Sequence, residues 1–356
     1  MADILGIGLT HYPPLIGTDE DMADVLRWTL SDPDIPAERK EPTSWPELMR
    51  TEWGADGGTA AAARHRAALC AGLARCRAAL DAFAPDVVVV WGDDQYEIFR
   101  EELVPAFCVL AYDDLEVRPL ARSAARGKPN AWGLPGDLTL TVRGAPDIGR
   151  EIAAALLEAG FDVAYAYRKP ADAPFPHAFV NTQLFLDYEH AGTRFPYPVV
   201  PIAVNCYGRH VIARKGGRVR CADIAGERLD PPGPSPARCY ALGGALAAAL
   251  RDGPHRVALV ASSSWSHAFL VDENWHLRPD TAADRELYAA LAAGDYGSWL
   301  EVTTEDVVAA GQHEVLNWFC LLGAMAELGC TPSWSTFVET DVFNSNKCFA
   351  VFDRPQ

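Results

Sequence analysis

Three short apolar runs in this chain each look like a buried strand, and each is followed at once by side chains that can do chemistry. The runs cover residues 4–10, 86–92 and 256–266, and the residues that follow them are His11, the triplet Asp93-Asp94-Gln95, and His267. In open α/β sheets, ligands bind outside the carboxyl ends of the strands. The three ends therefore predict one shared site at one edge of a sheet.

The order of helical and strand patterns favours an α/β fold, with a central, largely parallel or mixed sheet and helices on both faces. Residues 59–83 have the apolar spacing of an amphipathic helix, Pro85 ends it, and a continuous apolar strand follows at 86–91. A helix followed by a strand that is apolar on both faces is typical of a covered parallel sheet.

Other strands and helices are predicted along the rest of the chain. The strands are expected at 137–142, 162–167, 198–205 and 256–261, and the helices at 145–159, 235–250, 282–292 and 304–328. No internal repeat or low-complexity linker separates them, so we expect one large catalytic domain over residues 1–356. The polar segment 113–135 contains Pro and Gly and is predicted to be a surface loop or flap.

Composition excludes several classes of partner. The net charge of −17 leaves no basic surface for nucleic acid. We expect no signal peptide, because the first residues lack a basic segment and a long apolar run, and no membrane span, because no stretch of about 18 uncharged apolar residues occurs. The nine cysteines are scattered without CxxC pairs, as expected of reduced thiols in a cytoplasmic protein. We also expect a homo-oligomer.

Glu314 is the sharpest single candidate. It opens a helix that is apolar nearly all round, so its side chain should be buried, on the same face as Trp318, Leu321 and Met325. A buried carboxylate needs a cation, a metal or a proton. A metal ion is one natural partner, and a salt bridge with arginine is the alternative.

Three histidines are candidates beside it. His11 precedes a pair of prolines that would hold the backbone rigid, and His177 is the lone imidazole of an aromatic run. His267 follows a series of serines, but the chain has no Gly-x-Ser-x-Gly elbow, so a Ser/His hydrolase is weakly supported. Each histidine could instead be a structural core residue. Two histidines and a glutamate from separate elements are the donors that non-haem iron favours.

The segment 93–97 adds carboxylates and an amide just past a buried strand. A solvated turn is the plain alternative. The apolar residues that follow at 104–108 argue that the segment folds inwards.

Taken in order, these segments resemble the class III extradiol ring-cleavage dioxygenases, the group of protocatechuate 4,5-dioxygenase catalytic subunits, and most of all their single-chain dihydroxyphenylpropionate-type members. The matching motifs span nearly the whole chain. They are Leu9-Thr10-His11-Tyr12-Pro13-Pro14-Leu15, Asp94-Gln95-Tyr96 with Phe99 and Pro105-Ala106-Phe107-Cys108, Pro176-His177-Ala178-Phe179, Ser264-Trp265-Ser266-His267, and Gly311-Gln312-His313-Glu314 with Trp318.

The resemblance implies a role for each of these motifs. His11 and Glu314 would be metal ligands, and His177 and His267 the acid/base pair. The metal would be Fe(II), with Mn(II), Mg(II) or Zn(II) as other possibilities, and it would bind a catechol- or aminophenol-like aromatic together with O2. One histidine would remove a substrate proton, and the other would steer or protonate the intermediate formed with O2. The residues expected to contact the substrate are Tyr96, Tyr207 and Trp265.

The chain departs from the family at its second ligand, where Gln95 stands in place of a histidine. An amide oxygen is a poorer Fe(II) ligand than imidazole. Three outcomes are open: Gln95 ligates weakly; Asp94 or Glu97 replaces it, which would suit Mn(II) or Mg(II); or metal binding is lost. The last outcome gives the alternative function, a fold relative without dioxygenase activity, either a non-redox metalloenzyme or a pseudoenzyme subunit.

Overall fold

The predicted α/β sheet is present, and its central strands are parallel. The computed structural model describes residues 3–224 and 226–352. The strands within these residues are β1 Ile4–Leu9, β2 Val87–Asp93, β3 Phe107–Leu110, β4 Leu115–Val117, β5 Leu140–Val142, β6 Ala164–Ala166, β7 Val199–Val204, β8 Val257–Ser262, β9 Trp334–Val338 and β10 Lys347–Phe352.

Helices connect these strands and cover both faces of the sheet. They are α1 Asp24–Leu30, α2 Ala37–Lys40, α3 Glu47–Trp53, α4 Thr59–Phe83, α5 Ala121–Ala125, α6 Pro146–Glu158, α7 His177–Leu186, α8 Cys221–Ile224, α9 Pro236–Arg251, α10 Thr281–Ala293, α11 Tyr296–Leu300, α12 Thr304–Ala309 and α13 Leu316–Glu327. Within the described part of the chain, none of these helices has the length and apolar character that crossing a bilayer requires.

Eight strands form one mixed sheet in the order β6-β3-β7-β2-β8-β1-β10-β9. The four central strands β7, β2, β8 and β1 are parallel, so their carboxyl ends lie at one edge. The antiparallel pairs lie outside them: β3 pairs with β7, and β10 with β1 and β9. This single α/β domain confirms the predicted fold class, with the sheet mixed rather than fully parallel.

The core lies in two layers because side chains alternate between the faces of each central strand. In β2, Val88 and Val90 pack on one side with α4 and α7. Val87, Val89 and Trp91 pack on the other side with α6, α9 and α13. The continuous apolar run therefore follows from burial on both faces.

Helices α9 and α13 approach each other unusually closely. A Cβ on Gly243 would lie 1.7 Å from the carbonyl oxygen of Cys320, and one on Gly323 would lie 1.9 Å from that of Tyr240. Only glycine permits such contact between backbones. The contact fixes α13, whose amino end carries Glu314, against the rest of the core.

Three predicted segments differ from the structure. The helix expected at 304–328 is divided into α12, a 3₁₀ turn at His313–Val315, and α13. The strand expected at 137–142 begins only at Leu140. The segment 113–135 contains β4, which pairs with β5, and the short helix α5, so it is not a plain loop, although most of its residues are exposed. The expected domain limits, 1–356, include residues outside the described ranges.

Candidate functional site

The carboxyl ends of the four parallel strands converge on one buried cluster. His11 lies just after β1, Asp93 is the last residue of β2, Tyr207 follows β7, and His267 follows β8. Glu314 reaches the same place from the 3₁₀ turn before α13. The two remaining participants are Gln95, which follows β2, and His177, the first residue of α7.

His11 is held so that one ring nitrogen faces the cluster. Its Nδ1 lies 2.8 Å from the carbonyl oxygen of Ser262, so Nδ1–H donates to that oxygen and Nε2 carries the free lone pair. Asn181 donates to the backbone carbonyl of His11 at 3.1 Å. Burial, followed by the nearby His177, holds the pKa of His11 well below its usual range. A neutral imidazole fixed by such a hydrogen bond is a typical metal ligand.

Two carboxylates face the Nε2 of His11. Asp93 Oδ1 lies 3.6 Å from it and Glu314 Oε2 lies 3.7 Å from it. Both oxygens of Asp93, together with Glu314 Oε2, are buried and have no hydrogen-bond partner among the described residues. Burial raises the pKa of Asp93 to about 7 and that of Glu314 well above its usual value. Such buried, unpaired carboxylates call for a cation, and the three side chains fit a divalent metal.

The other carboxylate oxygen of Glu314 is surrounded by polar groups. Tyr207 donates its hydroxyl to Oε1 at 2.9 Å, and Gln95 donates its amide at 3.0 Å. His267 Nε2 lies 3.3 Å from the same oxygen. Gln95 also contacts the Tyr207 hydroxyl. The glutamate is thus fixed on one side and open towards His11 on the other.

The two predicted acid/base histidines occupy opposite electrostatic environments. Burial lowers the pKa of His177, but the Glu97 carboxylate, 3.1 Å from Nδ1, outweighs it and the pKa rises to about 9. Burial, followed by the positive charge of Lys347, lowers the pKa of His267 to about 3. These shifts leave His177 protonated and His267 neutral at neutral pH.

A turn after α12 brings Glu314 into the site and explains the divided helix. Gly311 has φ +62°, and a Cβ there would lie 2.9 Å from the carbonyl oxygen of His267. The amide of His267 donates to the carbonyl oxygen of Gly311 at 2.9 Å, which joins the two segments. A side chain at position 311 would separate them.

The structure does not bring all the candidates together. Asp94 accepts backbone N–H groups from Glu97, Ile98 and Phe99, so it caps the following turn. Tyr96 has φ +58° and donates its hydroxyl to Glu101, away from the cluster. Trp265 is wholly buried in the core against Trp299, Trp318 and Phe337. Of the residues expected to contact substrate, only Tyr207 lies in the cluster.

The sequence did not predict the surroundings of two carboxylates in the cluster. Asp93, which faces Nε2 of His11, was not among the predicted ligands, and the strand before it was expected to end at Trp91 rather than at Asp93. Glu97 was considered a ligand but pairs with His177. Extending the predicted strand by two residues would include Asp93. The alternation of side chains along a strand would then indicate to which face its carboxylate points.

Comparison with known proteins agrees with this geometry. Residues 55–351 match the family described as the catalytic LigB subunit of aromatic ring-opening dioxygenase. The chain belongs to this family. The match includes Asp93, Gln95, His177, His267 and Glu314, and it confirms the resemblance inferred from the motifs.

Several relatives carry the name 2,3-dihydroxyphenylpropionate/2,3-dihydroxicinnamic acid 1,2-dioxygenase. The relative from Comamonas testosteroni is 28% identical over 250 residues, covering 70% of this chain and 63% of its own length. The relative from Cupriavidus necator is 25% identical over 278 residues, covering 72% of this chain and 81% of its own length. These names favour a ring-opening dioxygenase over the alternative of a fold relative without that activity.

Proposed function

We propose that this protein is a metal-dependent extradiol-type dioxygenase, which opens a catechol- or aminophenol-like ring with O2. The observation that carries the proposal is the cluster of His11, Asp93 and Glu314, in which both oxygens of Asp93 and Oε2 of Glu314 are buried without a hydrogen-bond partner among the described residues. Family membership supports the reaction class. The names of the relatives supply the first compounds to test, which are 2,3-dihydroxyphenylpropionate and 2,3-dihydroxycinnamate.

When bound in this cluster, Fe(II) or another divalent metal would act as a Lewis acid, lowering the pKa of the substrate hydroxyl and orienting both reactants. His11 and Glu314 would hold it. The hydrogen bond from His11 Nδ1 to Ser262 and the Tyr207 hydroxyl on Glu314 would keep both side chains oriented.

The two histidines would divide the proton transfers. His267 is neutral, so its imidazole can accept the proton of the substrate hydroxyl. His177 is protonated and held by Glu97, so it can stabilise developing negative charge and return a proton to the opening ring. Opposed pKa shifts in one site are how acid and base roles are assigned.

The test is oxygen uptake by the protein reconstituted anaerobically with Fe(II), against a panel of catechols and aminophenols. We expect one O2 consumed per aromatic molecule lost, and a product whose mass equals substrate plus both oxygen atoms. The matched control is His267→Ala, which should retain metal but lose turnover. Metal binding without ring opening of any panel member would contradict the proposed function.

A further inference from the structure

Position 95, where the resemblance to the family implies a ligating histidine, carries an amide, and the nearby Asp93 faces His11 instead. We propose that Asp93 is the third protein ligand, giving a site of one imidazole and two carboxylates, and that Gln95 serves as a hydrogen-bond donor to Glu314. The inference rests on the proposed function, because it concerns the metal of the same site.

The distances suit a single ion. Three donors that each bind a metal at about 2.0–2.2 Å lie roughly 3–3.5 Å from one another. The Nε2 of His11 lies 3.6 Å from Asp93 Oδ1 and 3.7 Å from Glu314 Oε2. One ligand atom from each of these three residues lies within 4.8 Å of the others. Both separations from His11 thus lie just above the range that a shared ion requires.

Asp93 and its neighbour Asp94 differ in the hydrogen bonds that their carboxylates accept. Neither oxygen of Asp93 has a partner within the described ranges of the chain. Asp94 accepts from three backbone N–H groups, of which the shortest contact is 2.9 Å to Ile98. Leaving those buried donors without a partner would be unfavourable, so Asp94 stays in its turn. Asp93 is the free carboxylate.

The surroundings of Gln95 favour its role as a donor. Its amide nitrogen contacts Glu314 Oε1 at 3.0 Å and also the Tyr207 hydroxyl. Turning the amide would place its oxygen against a carboxylate oxygen, which is repulsive. Gly216 packs closely on this residue, since a Cβ there would lie 2.5 Å from the Cβ of Gln95. The amide therefore supports the glutamate while Asp93 occupies the ligand position.

The proposed ligand set changes which metals the site prefers. Carboxylate oxygens suit Mn(II) and Mg(II), whereas imidazole favours metals later in the first-row series such as Co(II) and Zn(II). Replacing one imidazole by a carboxylate should therefore narrow the difference in affinity between Co(II) and Mn(II). Two carboxylates also neutralise the charge of a divalent ion.

The experiment is calorimetric titration of metal-free protein with Mn(II) and with Co(II), for wild type and the variants Asp93→Asn, Asp94→Asn, Gln95→Ala and Gln95→His. Asp93→Asn should lose more than the roughly 10–100-fold in affinity that removal of an outer hydrogen-bond partner costs. Asp94→Asn carries the same substitution one residue away and should stay within about tenfold of wild type, whereas Gln95→Ala removes an outer hydrogen-bond donor to Glu314 and should lose about 10–100-fold. Gln95→His should widen the ratio of Co(II) to Mn(II) affinity.

A second measurement does not depend on the folding of any variant. Pulsed electron paramagnetic resonance of wild type loaded with Mn(II) should detect one coordinated imidazole nitrogen, and detection of two would contradict a site of one imidazole and two carboxylates. Wild-type affinity in Asp93→Asn, together with loss of binding in Gln95→Ala, would show that Gln95 is the ligand. If wild type opens rings but Asp93→Asn binds metal normally, only this ligand assignment fails. If wild type binds neither ion nor Fe(II), the proposed function fails with it.

Discussion

Two buried aspartates near the site differ in the hydrogen-bond donors that surround them. Asp93 and Asp284 are both fully buried, and burial raises the pKa of each to about 7. Asp284, on α10, accepts hydrogen bonds from the backbone N–H of Ser266, the amide of Gln312 at 2.7 Å and the amide of Asn346 at 2.9 Å. Asp93 has no such donor within the residues described.

The difference shows how a structural carboxylate can be told from a binding one. The donors of Asp284 come from three separate segments: residues 264–267 carry His267, residues 311–314 carry Glu314, and residues 344–347 pair with the first of these. Asp284 thereby ties these segments together behind the site, and its charge is already satisfied. Removing the Asp93 carboxylate from water costs a similar free energy, and only a bound cation would offset that cost. Such an arrangement serves function rather than stability.

The largest expected effect is the loss of the metal on truncating Glu314. Glu314→Ala removes one of two carboxylates, so the purified variant should retain no stoichiometric metal and show no ring opening. His267→Ala removes a base that contacts Glu314 without ligating, so it should keep the metal and lose only turnover. Metal content by mass spectrometry and oxygen uptake measure the two. Equal metal loss in both variants would make His267 a ligand.

The same substitution at the two aspartates should have opposite effects on the stability of the metal-free protein. In Asp284→Asn an amide nitrogen faces donors, and the unfolding free energy should fall by at least about 2 kcal/mol, since each unsatisfied buried donor costs about 1–3 kcal/mol. In Asp93→Asn a buried, unpaired charge is removed, so stability should be unchanged or higher. Urea unfolding compares them. A larger loss in Asp93→Asn would mean that Asp93 already has a protein partner.

How much of the fold could be predicted from the sequence depends on the spacing of the apolar residues in each segment. The strands β1, β2 and β8 were predictable because continuous apolar runs of that length indicate buried strands. The helix α7 was not, because all but its first residue are buried and the apolar pattern has no period. The divided helix at 304–328 was also missed. Its break depends on the contact of Gly311 with the backbone of His267, which is remote in sequence.

The site shows the same limit at the level of single side chains. The strand-end rule predicted His11 and His267, and burial of an apolar helix predicted Glu314; the structure brings all three into one cluster. Asp94 rather than Asp93 was predicted as the replacement for Gln95. Neighbouring side chains point to opposite sides of a strand, so which of them faces the cluster depends on where β2 ends. The sequence did not predict that Glu97 pairs with His177, because the two residues are 80 positions apart in the chain.

A smaller effect is expected in how stability depends on pH. The pKa of Asp93 is about 7 in the folded protein and about 3.9 when unfolded. Between these values the folded state binds more protons, so its stability falls as pH rises through this window.

Asp93→Asn should make this fall of stability with rising pH shallower. Added Mn(II) should reverse it in wild type, because the ligands must lose their protons to bind metal. Urea unfolding at about pH 5 and about pH 8 measures this, and Mn(II) stabilisation that is independent of pH would argue against carboxylate ligands.

Glu97 is the intermediate case, a carboxylate whose partner can itself titrate. One oxygen accepts from both the backbone N–H and the Nδ1 of His177, and the other has no hydrogen-bond partner in the described part of the chain. Glu97→Gln keeps an acceptor for Nδ1–H but removes the charge that raises the pKa of His177 to about 9. Burial then dominates and lowers that pKa.

If protonated His177 is needed, activity of Glu97→Gln should fall at a pH about 1–3 units lower than in wild type, because an opposite charge at this distance shifts a pKa by about that amount. Rates measured from about pH 6 to about pH 10 at saturating substrate locate the decline, and His177→Gln provides the matched variant without a titrating group. A decline at the same pH in wild type and Glu97→Gln would assign the titration to another group and leave Glu97, like Asp284, a carboxylate that only holds its neighbours in place.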